Sequence, residues 1–497
     1  MSTKRSLVPL FVVAILLTLA AAQCGQPQVV EKEVVVTKEV EKQVVVTQVV
    51  EKEVVVTQEV EKVVTQEVVK EVAPERVEIT YWIFGSEGQA KLDNGELWSD
   101  FYGRVVNEYE KTHPGVAINW ALRGGESGGT TLYIDSAVTA GTPPDIYYDD
   151  IFRVNKFAQQ GLLETVDGAL TDEDRAAYPP EFLALMTDKA GKLYAIPAGT
   201  GYQAYLINKT MFEEAGLTDL LPKDPDRTWT TEEFMKACRA INKPPEHYCT
   251  MFFAKTPSSD AEFNAYFGGF PGCEMFDPAQ QKYVVNSPAC LEAMQFLHSL
   301  SEEGLIVPGP AGLTDDDSEL YLKRKEIAMR GYGFSYRGTI KNGLADGSIE
   351  PPLDYVLVNY PNKPGAPPAP MGTWNPHVWS VFKQEDPKKL AVILDFINYM
   401  QKPDIVVQIA AGWQDVAIRK DTINPWKDDP DWQWVVPLVA KIGAKNYYYW
   451  QGVPCNYTEV RLAWAEARQA FWEPDADIQQ ILDDFVEKAN GIITDCQ

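Results

Sequence analysis

Between Val77 and Trp120 the chain reads as strand, helix and strand with a breaker at each join, and that stretch narrows the fold more than any other. Val77-Glu-Ile-Thr-Tyr-Trp-Ile-Phe84 is a strand ended by Gly85, a helix follows around Leu97 to Lys111, and His113-Pro114-Gly115 stops it before a second strand at Val116-Ala-Ile-Asn-Trp120. That order is the signature of a βαβ unit and so predicts a parallel sheet in an α/β protein. The theme returns further on. Asp145-Ile-Tyr-Tyr148 reads as a strand, and Pro387 to Met400 as an amphipathic helix capped by Asp386. From Arg76 onward about 420 residues show mixed composition without internal repeats, long enough for two lobes by size alone.

The segment before this body differs in kind. Glu31-Lys-Glu-Val-Val-Val-Thr37 recurs as Glu41-Lys-Gln-Val-Val-Val-Thr47 and Glu51-Lys-Glu-Val-Val-Val-Thr57, then shortens to Glu61-Lys-Val-Val-Thr65. An even period of about ten keeps each side chain on one face of an extended chain, whereas an ideal helix would turn its stripe by about −80° per repeat. The valine triplets also favour extension. Alternating Glu and Lys limit edge-to-edge pairing and leave too little apolar surface for a core, so the segment reads as a spacer. Fully extended it would reach on the order of 150 Å, and about half that as a helix. A coiled coil that oligomerises the chain is the competing reading.

At the start, Lys4 and Arg5 precede an apolar run from Leu7 to Ala22 that closes in Ala20-Ala21-Ala22, the layout of a secretory signal. The run falls short of the roughly 20 apolar residues that span a bilayer comfortably, and no comparable run follows. Leu19-Ala20-Ala21-Ala22-Gln23-Cys24 resembles a bacterial lipobox, in which Cys24 would be acylated and become the new N-terminus. Gln23 departs from the Gly or Ala usual at that place, and cleavage after Ala22 is the alternative. Diacylation would supply the two chains that stable anchoring requires. Setting Cys24 aside leaves six of the seven cysteines. Local loops are cheap to close, so the expected disulfides are Cys238 with Cys249, Cys273 with Cys290, and Cys455 with Cys496, against the alternative of free thiols. A zinc site has less support: no C-x-x-C pair is present and the four histidines (His113, His247, His298, His377) are scattered.

A net charge of −26 argues against nucleic acid or anionic lipid as the main partner. It leaves small neutral ligands open. With 13 Trp and 23 Tyr the chain has aromatic faces suited to sugars, although many of these rings will be core.

Further landmarks stand in a definite order: Ala140-Gly-Thr-Pro-Pro-Asp-Ile-Tyr147, Phe157-Ala-Gln-Gln-Gly-Leu-Leu-Glu164, Leu193-Tyr-Ala-Ile-Pro197, Tyr205-Leu-Ile-Asn-Lys209, Lys325-Glu-Ile-Ala-Met-Arg-Gly331 and the late helix from Asp386 to Met400. Together they resemble the extracellular solute-binding proteins of ABC importers, in the carbohydrate-binding, maltose-binding-protein-like family. The likeness covers the body from about Val77 to the C-terminus. Two stretches depart from the family pattern, Tyr332-Gly-Phe-Ser335 and Trp413-Gln-Asp-Val416.

The resemblance implies an α/β, two-lobe periplasmic-binding-protein-like fold of type II, hinge-linked, with no cofactor and no metal. The implied layout is a signal peptide over 1–23, a lipid-anchored repeat linker over 24–75, lobe 1 over 76–200 and 375–420, and lobe 2 over 201–374 and 421–497. Hinge crossings are expected near Gly199 to Gln203 and Gly372 to Pro376, with a third near Lys420 to Asn424. The implied function is capture of a sugar or oligosaccharide by hinge closure and delivery to an ABC permease. The chain would work at the extracellular face of the cytoplasmic membrane, or in a periplasm, held by its lipid.

Sugar recognition needs hydroxyl partners of both donor and acceptor kind beside an aromatic platform. Trp82 and Phe84 end the first strand at its carboxyl edge, where open α/β sheets bind ligands. Tyr148, Asp149 and Asp150 end another strand, with helix capping before Ile151 as the plainer reading of the carboxylates. Tyr202 lies at the first hinge, Gly269 offers close backbone approach or a simple turn, and Tyr332 and Phe334 follow the Ala-Met strand. Trp374 and Asn375 sit beside the second hinge, and Trp413 and Asp415 complete the set. Tyr447 to Trp450 edges the cleft or covers a lobe surface.

Other classes fit less well. A glycosidase needs two carboxylates about 5 to 10 Å apart, and Asp149 and Asp150, adjacent in a strand, should point to opposite faces. No G-x-S-x-G, H-E-x-x-H or P-loop pattern occurs. A structural surface protein would explain the spacer but not the ordered body. Within the binding class, a polyamine would require converging carboxylates. A phosphodiester or organic anion would require arginine, for which Arg123, Arg153, Arg330 and Arg337 are the candidates.

Overall fold

A computed structural model describes residues 76–84, 92, 95–123, 129–188, 190–277, 279–331, 333–367, 376–413, 415–424, 426–442 and 456–494. The signal, Cys24, the repeats, Tyr332, Trp374, Asn375, Tyr447 to Trp450, Cys455 and Cys496 lie outside the described residues.

The strands in chain order are β1 (Val77–Ile83), β2 (Val116–Leu122), β3 (Ile146–Asp150), β4 (Ile196–Thr200), β5 (Tyr205–Asn208), β6 (Phe276–Asp277), β7 (Lys282–Tyr283), β8 (Met329–Arg330), β9 (Tyr355–Val358), β10 (His377–Val381) and β11 (Val416–Ala417). The expected βαβ unit is present. β1 pairs in parallel with β2, Val77 opposite Val116, and the helix Trp98–Thr112 connects them. Along β1 the alternate residues Ile79, Tyr81 and Ile83 are buried, while Trp98, Phe101, Tyr102, Val105, Val106 and Tyr109 form the apolar stripe that covers the sheet. Just before β3, Asp145 accepts from the Thr80 amide at 2.7 Å and the Thr80 hydroxyl at 3.0 Å, which locks β1 to β3.

The first sheet runs β11-β4-β10-β3-β1-β2. It is mixed rather than parallel throughout, because β10 is antiparallel to both β3 and β4. A strand that re-enters the sheet after a long excursion is not bound to the direction that a βαβ crossover imposes. The helix Pro387–Met400 follows β10, and Asp386 caps it by accepting from the Lys388 amide at 2.8 Å, as expected.

A second sheet has the order β8-β5-β9, antiparallel at both joins, with every residue of β5 buried. Its core is aromatic: Tyr205, Trp229, Phe234, Tyr266 and Tyr360 pack edge to face. Cys238–Cys249 and Cys273–Cys290 are bonded as expected, closing sequence separations of 11 and 17 within this lobe. The helices Tyr457–Phe471 and Ile478–Thr494 pack into the same core, with Trp464 and Phe485 rings 4.7 Å apart. The chain thus passes from β4 through residues 201–204 into the second sheet and comes back as β10. No helix among the described residues is long and apolar enough to cross a membrane.

Candidate ligand site at the carboxyl ends of β1 and β3

Five charged side chains meet where β1 and β3 end and β10 begins. His377 opens β10 opposite Asp150, the last residue of β3. Its Nδ1 lies 2.5 Å from Asp415, just before β11, and its Nε2 lies 3.4 Å from Asp150. Arg153, one turn into the helix Ile151–Gln159, donates to Asp149 at 2.6 Å and pairs with Asp150 at 3.3 Å. Asp149 also accepts from the Tyr147 hydroxyl and from the Asp150 amide. All five are buried.

This geometry corrects one expectation. Asp149 and Asp150 should point to opposite faces of a strand, yet both carboxylates reach one guanidinium nitrogen. The pleat does not govern them because the chain turns into a helix at Asp150, which occupies the N-cap position. Its side chain makes no capping hydrogen bond there, being engaged by Arg153 and His377 instead.

Burial alone would lower the imidazole of His377, but the carboxylates of Asp415 and Asp150 overcome it and raise the group to about 9. Burial likewise raises Asp150 and Asp415, with the His377 charge opposing it. Burial also opposes the Arg153 cation, and Asp149 and Asp150 more than compensate, holding it charged.

A stack of rings covers the network. Phe84 lies on Trp413 with centroids 4.8 Å apart and planes 10° apart, and His377 lies on Trp413 at 4.6 Å. The Arg153 guanidinium sits 4.5 Å from the Phe84 ring, and Trp98 meets Trp413 edge-on at 4.8 Å. Tyr148 packs tilted against Trp379 at 5.2 Å. Six polar atoms here have no hydrogen-bond partner among the described residues: Trp98 Nε1, Trp413 Nε1, the Tyr148 hydroxyl, Asp415 Oδ1, Asp150 Oδ1 and Arg153 Nε.

The structure therefore brings Phe84, Tyr148, Asp149, Trp413 and Asp415 together. Trp82 stands on the same strand, half-buried, under the Arg123 guanidinium at 5.0 Å. The remaining described candidates lie elsewhere. Tyr202 is buried, donates to Asn359 and meets Trp434 edge-on. Phe334 packs on Trp432 at 5.2 Å, and Gly269 abuts the Pro361 carbonyl so closely that a Cβ would overlap it. His377 was not among the residues expected from sequence. Its signal was an ionisable side chain opening the mostly apolar run Val378-Trp379-Ser380-Val381.

A second buried network stands in the other lobe. Arg330, ending β8, pairs with Glu262, donates to Ser318 at 2.9 Å and covers the Tyr336 ring at 4.9 Å. Glu262 accepts from the Gly331 amide at 3.1 Å, and a Cβ on Gly331 would strike that carboxylate. Burial raises Glu262, with the Arg330 charge opposing it.

The model of a family described as "Bacterial extracellular solute-binding protein" matches residues 97–407, more than half of the chain. The chain belongs to that family. This bacterial extracellular solute-binding protein is 25% identical over 231 residues to a protein of Brucella abortus named as a binding protein, covering 46% of the chain and 53% of the relative. The match thus spans about half the length of the curated relatives. Among solved structures, the GacH receptor of Streptomyces glaucescens, solved unliganded and with acarbose, gives a TM-score of 0.64 at 16% identity, covering 84% of this chain and 98% of its own. A cyclic α-maltosyl-1,6-maltose binding protein of Arthrobacter globiformis gives 0.63 at 18%, covering 84% and 100%. An ABC transporter solute-binding protein of Thermotoga lettingae bound with α-D-tagatose gives 0.65 at 20%, covering 84% and 99%. These likenesses establish the two-lobe α/β solute-binding fold.

Proposed function

We propose that this solute-binding protein captures a sugar or oligosaccharide between its lobes, without catalysing a reaction on it, and passes it to an ABC permease. One observation carries the reading. Beside the Phe84, Trp413 and His377 stack stand unpartnered groups of both kinds, the indole donors of Trp98 and Trp413, the hydroxyl of Tyr148 and an acceptor oxygen of Asp415. A ring face edged by donors and acceptors is what a polyhydroxylated ring requires. The acarbose and tagatose complexes of proteins with this fold, and a third protein of this fold named for binding cyclic α-maltosyl-1,6-maltose, point the same way.

Trp82, Phe84, Tyr148, Trp413 and Asp415 are the contacts proposed from this lobe, with Asp149 holding Arg153 in place. Tyr332, Trp374 and Asn375 remain proposed contacts on sequence grounds, and Tyr202, Gly269 and Phe334 are proposed to support the cleft from behind. An anionic ligand is less favoured because three of the four candidate arginines, Arg153, Arg330 and Arg337, already face a carboxylate, at Asp149, Glu262 and Asp429, while Arg123 lies over the Trp82 ring. A polyamine is less favoured because Asp149, Asp150 and Asp415 are compensated by Arg153 and His377. Lobe closure shifts with ligand through differential affinity, about the crossings near Gly199 to Gln203 and Gly372 to Pro376. Isothermal titration against a panel of mono- and oligosaccharides tests the reading. Heat with at least one sugar is expected, and silence across the panel overturns it.

A further inference from the structure

Phe152 belongs by sequence to the first lobe and by packing to the second. It is the second residue of the helix Ile151–Gln159, which leaves β3 of the first sheet. Yet the residue is only 9% exposed and lies within the second lobe's core cluster, its ring 4.3 Å from that of Tyr457. Tyr457 opens the helix Tyr457–Phe471, whose entry is fixed by Asn456 in the left-handed region at φ 51°.

Cations flank this ring pair on both sides. Arg153 covers Phe152 at 5.2 Å and is held by Asp149 and Asp150, all in the first lobe. Arg461 covers Tyr457 at 5.8 Å and is held by Asp260 through two hydrogen bonds of 2.7 and 3.0 Å, all in the second lobe. Each of these ion pairs closes within its own lobe, and the ring contact crosses between them, with the Arg153 and Arg461 cations near enough to repel each other across it. Such a contact separates without stranding a buried charge, so it can form and break as the lobes move.

We propose that Phe152 and Tyr457 form an inter-lobe latch, a pair of positioning residues that sets how much of the ligand-free protein is closed and thereby its affinity. The proposal rests on reading the chain as a two-lobe binder that closes on its ligand. A ligand's apparent affinity scales with the population of the state that binds it, so loosening the latch weakens binding through that population.

The test needs no ligand. Spin labels carried on keto amino acids, which leave every cysteine untouched, replace the exposed Tyr133 of the first lobe and Leu320 of the second in the full chain. Pulsed electron resonance then reads the inter-lobe distance. Phe152→Ala and Tyr457→Ala should each move the distribution to longer distances, cutting the closed population about tenfold. Phe152→Tyr, which keeps the ring, should restore the parent distribution. Phe152→Leu serves if the alanine variant fails to fold, and it too should lengthen the distance. Any folded variant lacking one ring that keeps the parent distribution overturns the latch. A failed sugar titration of the parent would overturn the sugar reading and leave this result standing.

Discussion

At the residue scale the unusual member of the first network is His377. A neutral imidazole between two carboxylates would leave them to repel each other in a buried site, so the fold favours the protonated ring. The folded value of about 9 stands above the unfolded value of about 6.5. The folded state therefore binds the proton more tightly, and the stabilisation is complete below about pH 6.5 and lost as pH rises through about 9. At about 1.4 kcal/mol per unit it amounts to on the order of 3 kcal/mol. The stability gap between the parent and His377→Gln should be widest near pH 6 and shrink strongly by pH 10. Urea unfolding at a series of pH values measures it, and a gap that stays constant with pH would sink the assignment. Sequence carried only a local signal for this residue. The carboxylates that raise it are 227 and 38 positions away along the chain, and nothing local to Pro376-His377-Val378 marks them as neighbours.

At the element scale the same contrast decides what was legible. The βαβ unit, the Asp386 cap and both short-range disulfides depend on contacts near in sequence, and all appear as read. The antiparallel insertion of β10 between β3 and β4, and the β11 edge, depend on a returning chain that no local pattern specifies. Asp149 and Asp150 were misread for a related reason: the strand rule was applied at a residue where the helix had taken over. Gly199 shows how tightly the returning pieces fit. A Cβ there would stand 2.6 Å from the Ala410 Cβ and 2.9 Å from the Asp415 Cβ, inside the normal contact limit for both. Neither neighbour can yield easily, since Ala410 is buried in the helix Pro403–Gly412 and Asp415 holds His377. Gly199→Ala should therefore cost about 1 to 3 kcal/mol by overpacking and loosen the Asp415–His377 pair. Thermal unfolding checks the cost, and loss of the pH-dependent gap described for His377 checks the coupling. A variant as stable as the parent would show that β4 and β11 have more room than their register implies.

At the scale of the whole molecule, charge and attachment pull against each other. A chain of net charge −26 is repelled by an anionic membrane surface, so electrostatics would not hold it at one. A single acyl chain gives only marginal, reversible binding, so the lipobox resemblance at Cys24 implies a doubly acylated cysteine, with cleavage after Ala22 as the alternative. The two kinds of attachment respond oppositely to salt. Screening weakens any attraction to lipid headgroups but leaves buried hydrocarbon in place, and it relieves the repulsion of an acidic body. The parent expressed with its own leader should therefore sediment with membranes as completely in about 1 M salt as in low salt. Cys24→Ala should appear in the soluble fraction at either ionic strength. A Cys24→Ala protein that still sediments would move the anchor to an uncleaved leader, and a parent released by salt would exclude acyl chains altogether.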